Sequence, residues 1–69
     1  MEAKELRDLS AEELGRKREE LREQIGHMTL KRATGRLDNP MQLRQTKRDL
    51  ARVETVLREK ELQAEEGAA

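Results

Sequence analysis

The chain has 69 residues, of which 43% are charged and 33% hydrophobic, with no Phe, Trp or Tyr. That length allows one domain at most, with so thin an apolar core that helical propensity and a partner surface are expected to supply much of the order. The absence of Cys and the presence of a single His exclude disulfides, thiolate metal sites and a His-based metal cluster within the chain. No apolar run approaches the ~20 residues of a membrane span. The opening, where acids alternate with bases from Glu2, lacks the apolar core of a signal peptide, so the cytoplasm is the expected compartment.

In chain order, Met1–Asp8 can form a short helical turn around Leu6. Ser10-Ala11-Glu12-Glu13 reads as a capping box. The Ser10 hydroxyl can accept from the Glu13 N–H, and the Glu13 carboxylate can reach back to Ser10. Leu9 before the cap and Leu14 after it are placed as a hydrophobic staple. A long helix is predicted from Ala11 to about Ala33, ended by Gly35 in the left-handed conformation. Asn39-Pro40 then supplies a strong N-cap and a residue suited to the first helical position, with Gln42 able to complete a second box. This second long helix should run from Pro40 to about Leu62, leaving residues 65–69 as a frayed tail.

A link of about five residues favours antiparallel neighbours. The apolar seams agree: Leu14, Leu21, Ile25 and Met28 make one narrow stripe, and Leu43, Leu50, Val53 and Leu57 make another. Folded together, Met28 should lie near Leu43, Leu21 near Leu50, and Leu14 near Val56 or Leu57. The predicted fold is all-α, a single antiparallel two-helix hairpin forming a rod roughly 35 Å long at ~1.5 Å per residue.

The formal net charge is zero, but its distribution is uneven. Residues 25–53 contain seven cations (Lys31, Arg32, Arg36, Arg44, Lys47, Arg48 and Arg52) against Asp38 and Asp49 alone, and acids outnumber bases on either side. Local potential, more than the average, decides where a polyanion sits. On the second long helix Arg44, Lys47, Arg48 and Arg52 fall on one flank beside the seam, with Ala51 and Thr55 between them. Small residues among cations let a bulky backbone come close, and the cations can neutralise phosphates and release counterions. Lys31, Arg32 and Arg36 add to this at the tip, although the first two also suit the C-terminal end of a helix dipole. The bland alternative for the whole stripe is a solvated face.

Two apolar residues miss the seam. Leu30 points nearly opposite Leu14 and Leu21, and Val56 points away from Leu50 and Val53, which makes both candidates for contact with a second macromolecule. Gly26-His27 inside the first long helix and Arg18 on its seam read more simply as tolerated or snorkelling positions. Neighbouring carboxylates such as Glu12/Glu13 and Glu19/Glu20 do not share a helix face, there is no Gly-rich phosphate loop, and the only Ser is better used as a cap. No catalytic set, metal site, cofactor or small-molecule substrate is expected.

The run from Asn39 to Val53, Asn-Pro-Met-Gln-Leu-Arg-Gln-Thr-Lys-Arg-Asp-Leu-Ala-Arg-Val, resembles the signature of the bacterial large-subunit ribosomal protein family numbered twenty-nine. Ala3-Lys4-Glu5-Leu6-Arg7 is similar to that family's opening, Ala33-Thr34-Gly35-Arg36-Leu37 to its link, and Thr55-Val56-Leu57 to the continuation of its second helix. The resemblance covers roughly residues 1–62. It implies a non-catalytic helical hairpin on the RNA of the large ribosomal subunit, near the exit of the nascent-peptide tunnel. It also implies a neighbour there, the ribosomal protein numbered twenty-three. Arg44, Lys47, Arg48 and Arg52 match the family's basic signature positions, so the resemblance also assigns them to RNA. Two features depart from the family: its aromatic near the end of the first helix is replaced within Gly26-His27-Met28-Thr29-Leu30, and its usual basic balance is neutral here. The alternative is a coiled-coil adaptor that dimerises and binds protein only.

Overall fold

The computed structural model describes residues 2–68, which form three helices: α1 (Ala3–Arg7), α2 (Ala11–Ala33) and α3 (Pro40–Ala68). Met1 and Ala69, the outer ends of the expected N-terminal turn and C-terminal tail, lie outside the described residues.

The ends of α2 are set by local chemistry. Ser10 is extended at φ −71° and ψ 162°, and its Oγ accepts from the Glu13 N–H at 3.2 Å. Only this half of the capping box forms; among the described residues no bond returns from the Glu13 carboxylate to Ser10. At the other end Gly35 takes φ +73°. That conformation lets the Gly35 N–H donate to the Arg32 carbonyl at 3.1 Å and the Arg36 N–H to the Lys31 carbonyl at 2.7 Å, the paired bonds of a Schellman cap. The Thr34 hydroxyl also donates to the Leu30 and Lys31 carbonyls, at 3.2 and 3.1 Å.

Helix α3 starts on Asn39, whose Oδ1 accepts from the Gln42 N–H at 3.3 Å, while Pro40 opens the helix with no N–H to satisfy. It continues to Ala68, past the end expected near Leu62. Residues 59–66 are Glu, Lys, Leu, Gln and Ala throughout, strong helix formers that need no tertiary contact to prefer this conformation. The longer helix also explains why the molecule measures 51 Å in its long dimension instead of the ~35 Å expected of the hairpin.

Helices α2 and α3 pack against each other as the hairpin, and α1 folds onto α3. The core is one cluster of Leu6, Leu14, Leu21, Val53, Val56 and Leu57, with Leu9 and Leu50 half-buried at its margin. Leu43 is buried nearer the tip, and so is Thr46, whose hydroxyl donates to the Gln42 carbonyl at 2.8 Å. The seam predicted for each long helix is therefore the side that meets its partner.

Val56 is the correction. It is 2% exposed and belongs to the core, so it cannot be a docking residue for another molecule. On a helix Val56 lies about 100° from Leu57, off the line that faces α2. A two-helix reading leaves it outside, but α1 covers that side of α3 and brings in Leu6, itself 1% exposed. Polar contacts tie α1 in place: Arg7 Nε lies 3.4 Å from Glu59 Oε2, and Lys60 Nζ donates to the Arg7 carbonyl at 3.2 Å. Across the hairpin, Arg22 bridges Glu54 at 3.2 Å and Glu19 at 3.5 Å. These pairs are half-exposed, and such bridges contribute about 0–1 kcal/mol each, so burial of the leucines and valines carries the packing.

Replacing Leu6 with Ala is expected to destabilise the protein by about 2–5 kcal/mol, whereas Leu30→Ala changes stability by less than about 0.5 kcal/mol. Urea titration followed by circular dichroism measures both, and equal effects would contradict the role of α1 as part of the core. Gly35→Ala forces a side chain into the left-handed region and should cost about 1–2 kcal/mol in the same titration, although space is open around it.

Candidate nucleic-acid interface

Helix α3 is covered on two sides and bare on the third. Leu43, Thr46, Val53, Val56 and Leu57 are buried, whereas Arg44, Lys47, Arg48, Ala51, Arg52 and Thr55 are all exposed. At 100° per residue the basic set centres roughly opposite the buried set. The cations thus form the outer face of the hairpin and do not lie beside its seam, because the same spacing centres them well over a quarter turn from the line of Leu43, Leu50, Val53 and Leu57. From Arg44 to Arg52 this face runs about 12 Å along the helix axis.

Its charge is little compensated from within. Among the described residues Arg44, Lys47 and Arg48 make no ion pair or side-chain hydrogen bond; Arg52 is engaged within the chain and is not counted with them. Arg7, Arg18 and Arg22, which pair with carboxylates, belong to α1 and α2. Asp49, the one acid between residues 39 and 53, is half-buried and accepts from Gln45 Nε2 at 3.2 Å. In the middle of the face Ala51 presents a methyl group. Thr55 turns its hydroxyl back onto the Ala51 carbonyl at 2.8 Å, so this stretch is low, smooth and without an outward donor.

The tip carries the remaining expected cations. Lys31, Arg32 and Arg36 are exposed and, among the described residues, form no ion pair. The carbonyls of Lys31 and Arg32 already accept from Arg36, Thr34 and Gly35, so the two side chains are not needed to cap the helix by hydrogen bonding. Leu30 stands 65% exposed on the outer side of α2. Met41, 68% exposed, is an apolar surface residue that sequence reasoning missed. Its position two residues before Leu43, on the far side of the helix from the seam, was the available signal. Leu62 is also exposed, at 47%.

Glu12, Glu19 and Glu23 are exposed on the side of α2 turned away from α3, with Arg16 beside them and Glu19 paired to Arg18 and Arg22, so the negative charge there is local to a few carboxylates. Among the described residues there is no group of three or more His, Cys, Asp or Glu placed to hold a metal ion, and no helix is long and apolar enough to cross a membrane.

A thin helical hairpin with an exposed basic face along one helix belongs to the class of small helical proteins that offer a charged surface to a partner. Comparison with known proteins makes the class specific. The sequence pattern of the family described as Ribosomal L29 protein matches residues 4–60. Among similar proteins, the large ribosomal subunit protein uL29 of Syntrophotalea carbinolica is 53% identical over 60 residues, covering 87% of this chain and 97% of the relative. The uL29 of Natranaerobius thermophilus is 47% identical over 62 residues, covering 90% and 95%, and that of Heliobacterium modesticaldum is 43% identical over 65 residues, covering 94% and 97%. The chain belongs to the ribosomal L29 protein family, whose members are ribosomal proteins and not enzymes.

Because Arg44, Lys47 and Arg48 support nothing inside the molecule, changing all three to Gln should leave helicity intact and stability within about 0.5 kcal/mol per site of the parent. Circular dichroism and thermal unfolding test this, and a collapse of helicity would show that the cations serve the fold.

Proposed function

We propose that this protein is a structural constituent of the large ribosomal subunit that lies on ribosomal RNA by the outer face of α3. The observation that carries the reading is the set of exposed cations Arg44, Lys47 and Arg48, which among the described residues make no ion pair, on one face of α3, with Arg52 on the same face. Lys31, Arg32 and Arg36 extend the basic surface round the tip. An RNA backbone laid along this face exchanges its counterions for fixed protein charges, and the gain is the entropy of the released ions. Arg side chains can hold phosphates as planar forks, and Ala51 and Thr55 leave room for the backbone between them.

Carboxylates on the outer side of α2 support the same orientation. Glu12 and Glu23 there repel phosphate, which favours approach of a polyanion from the α3 side. The side of α2 that carries Leu30 then faces away from the RNA and suits a protein neighbour. The family resemblance supports a neighbour among the proteins at the exit of the nascent-peptide tunnel. Bound in this way, the hairpin works as a strut on folded RNA in cytoplasmic ribosomes, and no step of it requires a cofactor. Family membership favours this over a dimeric adaptor that binds protein alone.

Changing Arg44, Lys47 and Arg48 to Gln should abolish co-sedimentation with large subunits at moderate salt. It should also lower the slope of log affinity against log salt by about 2–3, roughly one for each phosphate that is no longer neutralised. Filter binding to large-subunit RNA across a salt series gives the slope. A variant that binds with the parent's affinity and slope would remove the basis of the proposal.

A further inference from the structure

Between α2 and the start of α3, close to the tip, lies an open groove of about 410 Å³ lined by Gln24, His27, Met28, Lys31 and Gln42. We infer that this groove is a second RNA subsite, which takes one nucleotide that has left the helical stack. The inference rests on the reading of α3 as the RNA face and adds a distinct site to it.

The chemistry of the lining selects the occupant. No carboxylate lines the groove, although α2 as a whole is rich in them. Its four polar side chains all carry N–H donors, and among the described residues none of them is committed to a hydrogen bond or ion pair within the chain. A bare phosphate would use the donors only and leave the carbonyl oxygens of Gln24 and Gln42 idle. A base edge presents donors and acceptors together, which is what a side-chain amide matches. The half-exposed thioether of Met28 offers a polarisable apolar surface for a flat ring, in a site with no aromatic residue to stack on. The volume falls within the range of small-ligand sites, about 300–1,000 Å³, room for one base and its sugar but not for a duplex.

Position gives the second argument. Gln42 is two residues before Arg44, so the groove and the basic face lie about 160° apart around α3. An RNA strand that follows the basic face and reaches the groove must turn sharply round the tip, where Lys31, Arg32 and Arg36 stand free to neutralise its phosphates. A sharp turn of the strand is where bases unstack and become readable.

The test uses the full chain, naked large-subunit RNA and a plain RNA duplex. Gln24→Ala with Gln42→Ala removes the amides without changing charge, on exposed positions where helicity should persist. The double variant is expected to bind large-subunit RNA about tenfold more weakly, as the absence of about one to two hydrogen bonds implies. It should bind the duplex as the parent does, and a base that the parent shields from a base-modifying reagent should become reactive. Parental affinity and an unchanged footprint would overturn the subsite. So would equal weakening on the duplex, and so would a photoreactive residue at position 27 that cross-links only to protein in assembled subunits. The variant of Arg44, Lys47 and Arg48 separates the two ideas. If it loses RNA binding while the Gln24/Gln42 variant keeps it, the α3 face stands and the groove assignment fails. If the parent itself does not bind the RNA, both fail.

Discussion

Helix α3 has to bury two adjacent strips of its surface, one of Leu43, Leu50, Val53 and Leu57 and one reaching round to Val56, and a single partner helix covers only the first. The second is closed by the five residues of α1, through Leu6. Much else follows from this two-sided burial. It sets the angle between the packed and free surfaces of α3 and leaves the third side, with its arginines and lysine, as the outer edge of the molecule. It also gives a role to Arg7, Glu59 and Lys60, which hold α1 across the open end of the hairpin.

The division of ionic labour is consistent with that geometry. Where the chain needs help to keep its elements together, at the open end and midway along α2, cations meet carboxylates: Arg7 with Glu59, and Arg22 with Glu54. Toward the tip, where the Schellman cap at Gly35 and the Asn39 cap already define the link through backbone bonds, the cations are left out of the fold. A positive charge that stabilises nothing internally is available to an external anion without first breaking a bond. The neutral net charge of the chain conceals this, because acids outnumber bases before residue 25 and after residue 53.

If the outer face of α3 meets RNA as proposed, the carboxylates on the outer side of α2 disfavour the reverse orientation, and the methyl groups of Ala51 and Thr55 keep the α3 face low enough for close approach. The chain has no aromatic residue, and the apolar residues at the tip surface, Leu30 and Met41, are flexible aliphatic ones that can adapt to a neighbour.

Much of the architecture was legible before any coordinates, because it rests on short-range rules. Ser10, Gly35 and Asn39-Pro40 mark helix ends through bonds to residues within a few positions, and heptad-like leucines mark the meeting sides of α2 and α3. The identity of the basic residues could likewise be read from residue order, since a run of cations with one acid is visible without a fold. What lay beyond reach depended on contacts between residues some fifty positions apart. Only the docking of α1 made Val56 core instead of surface and brought Arg7 to Glu59. Local periodicity specifies which side of a helix is apolar, but how much of that side is covered is decided by which other helices arrive there, and a five-residue helix leaves too weak a periodic trace to announce where it will pack.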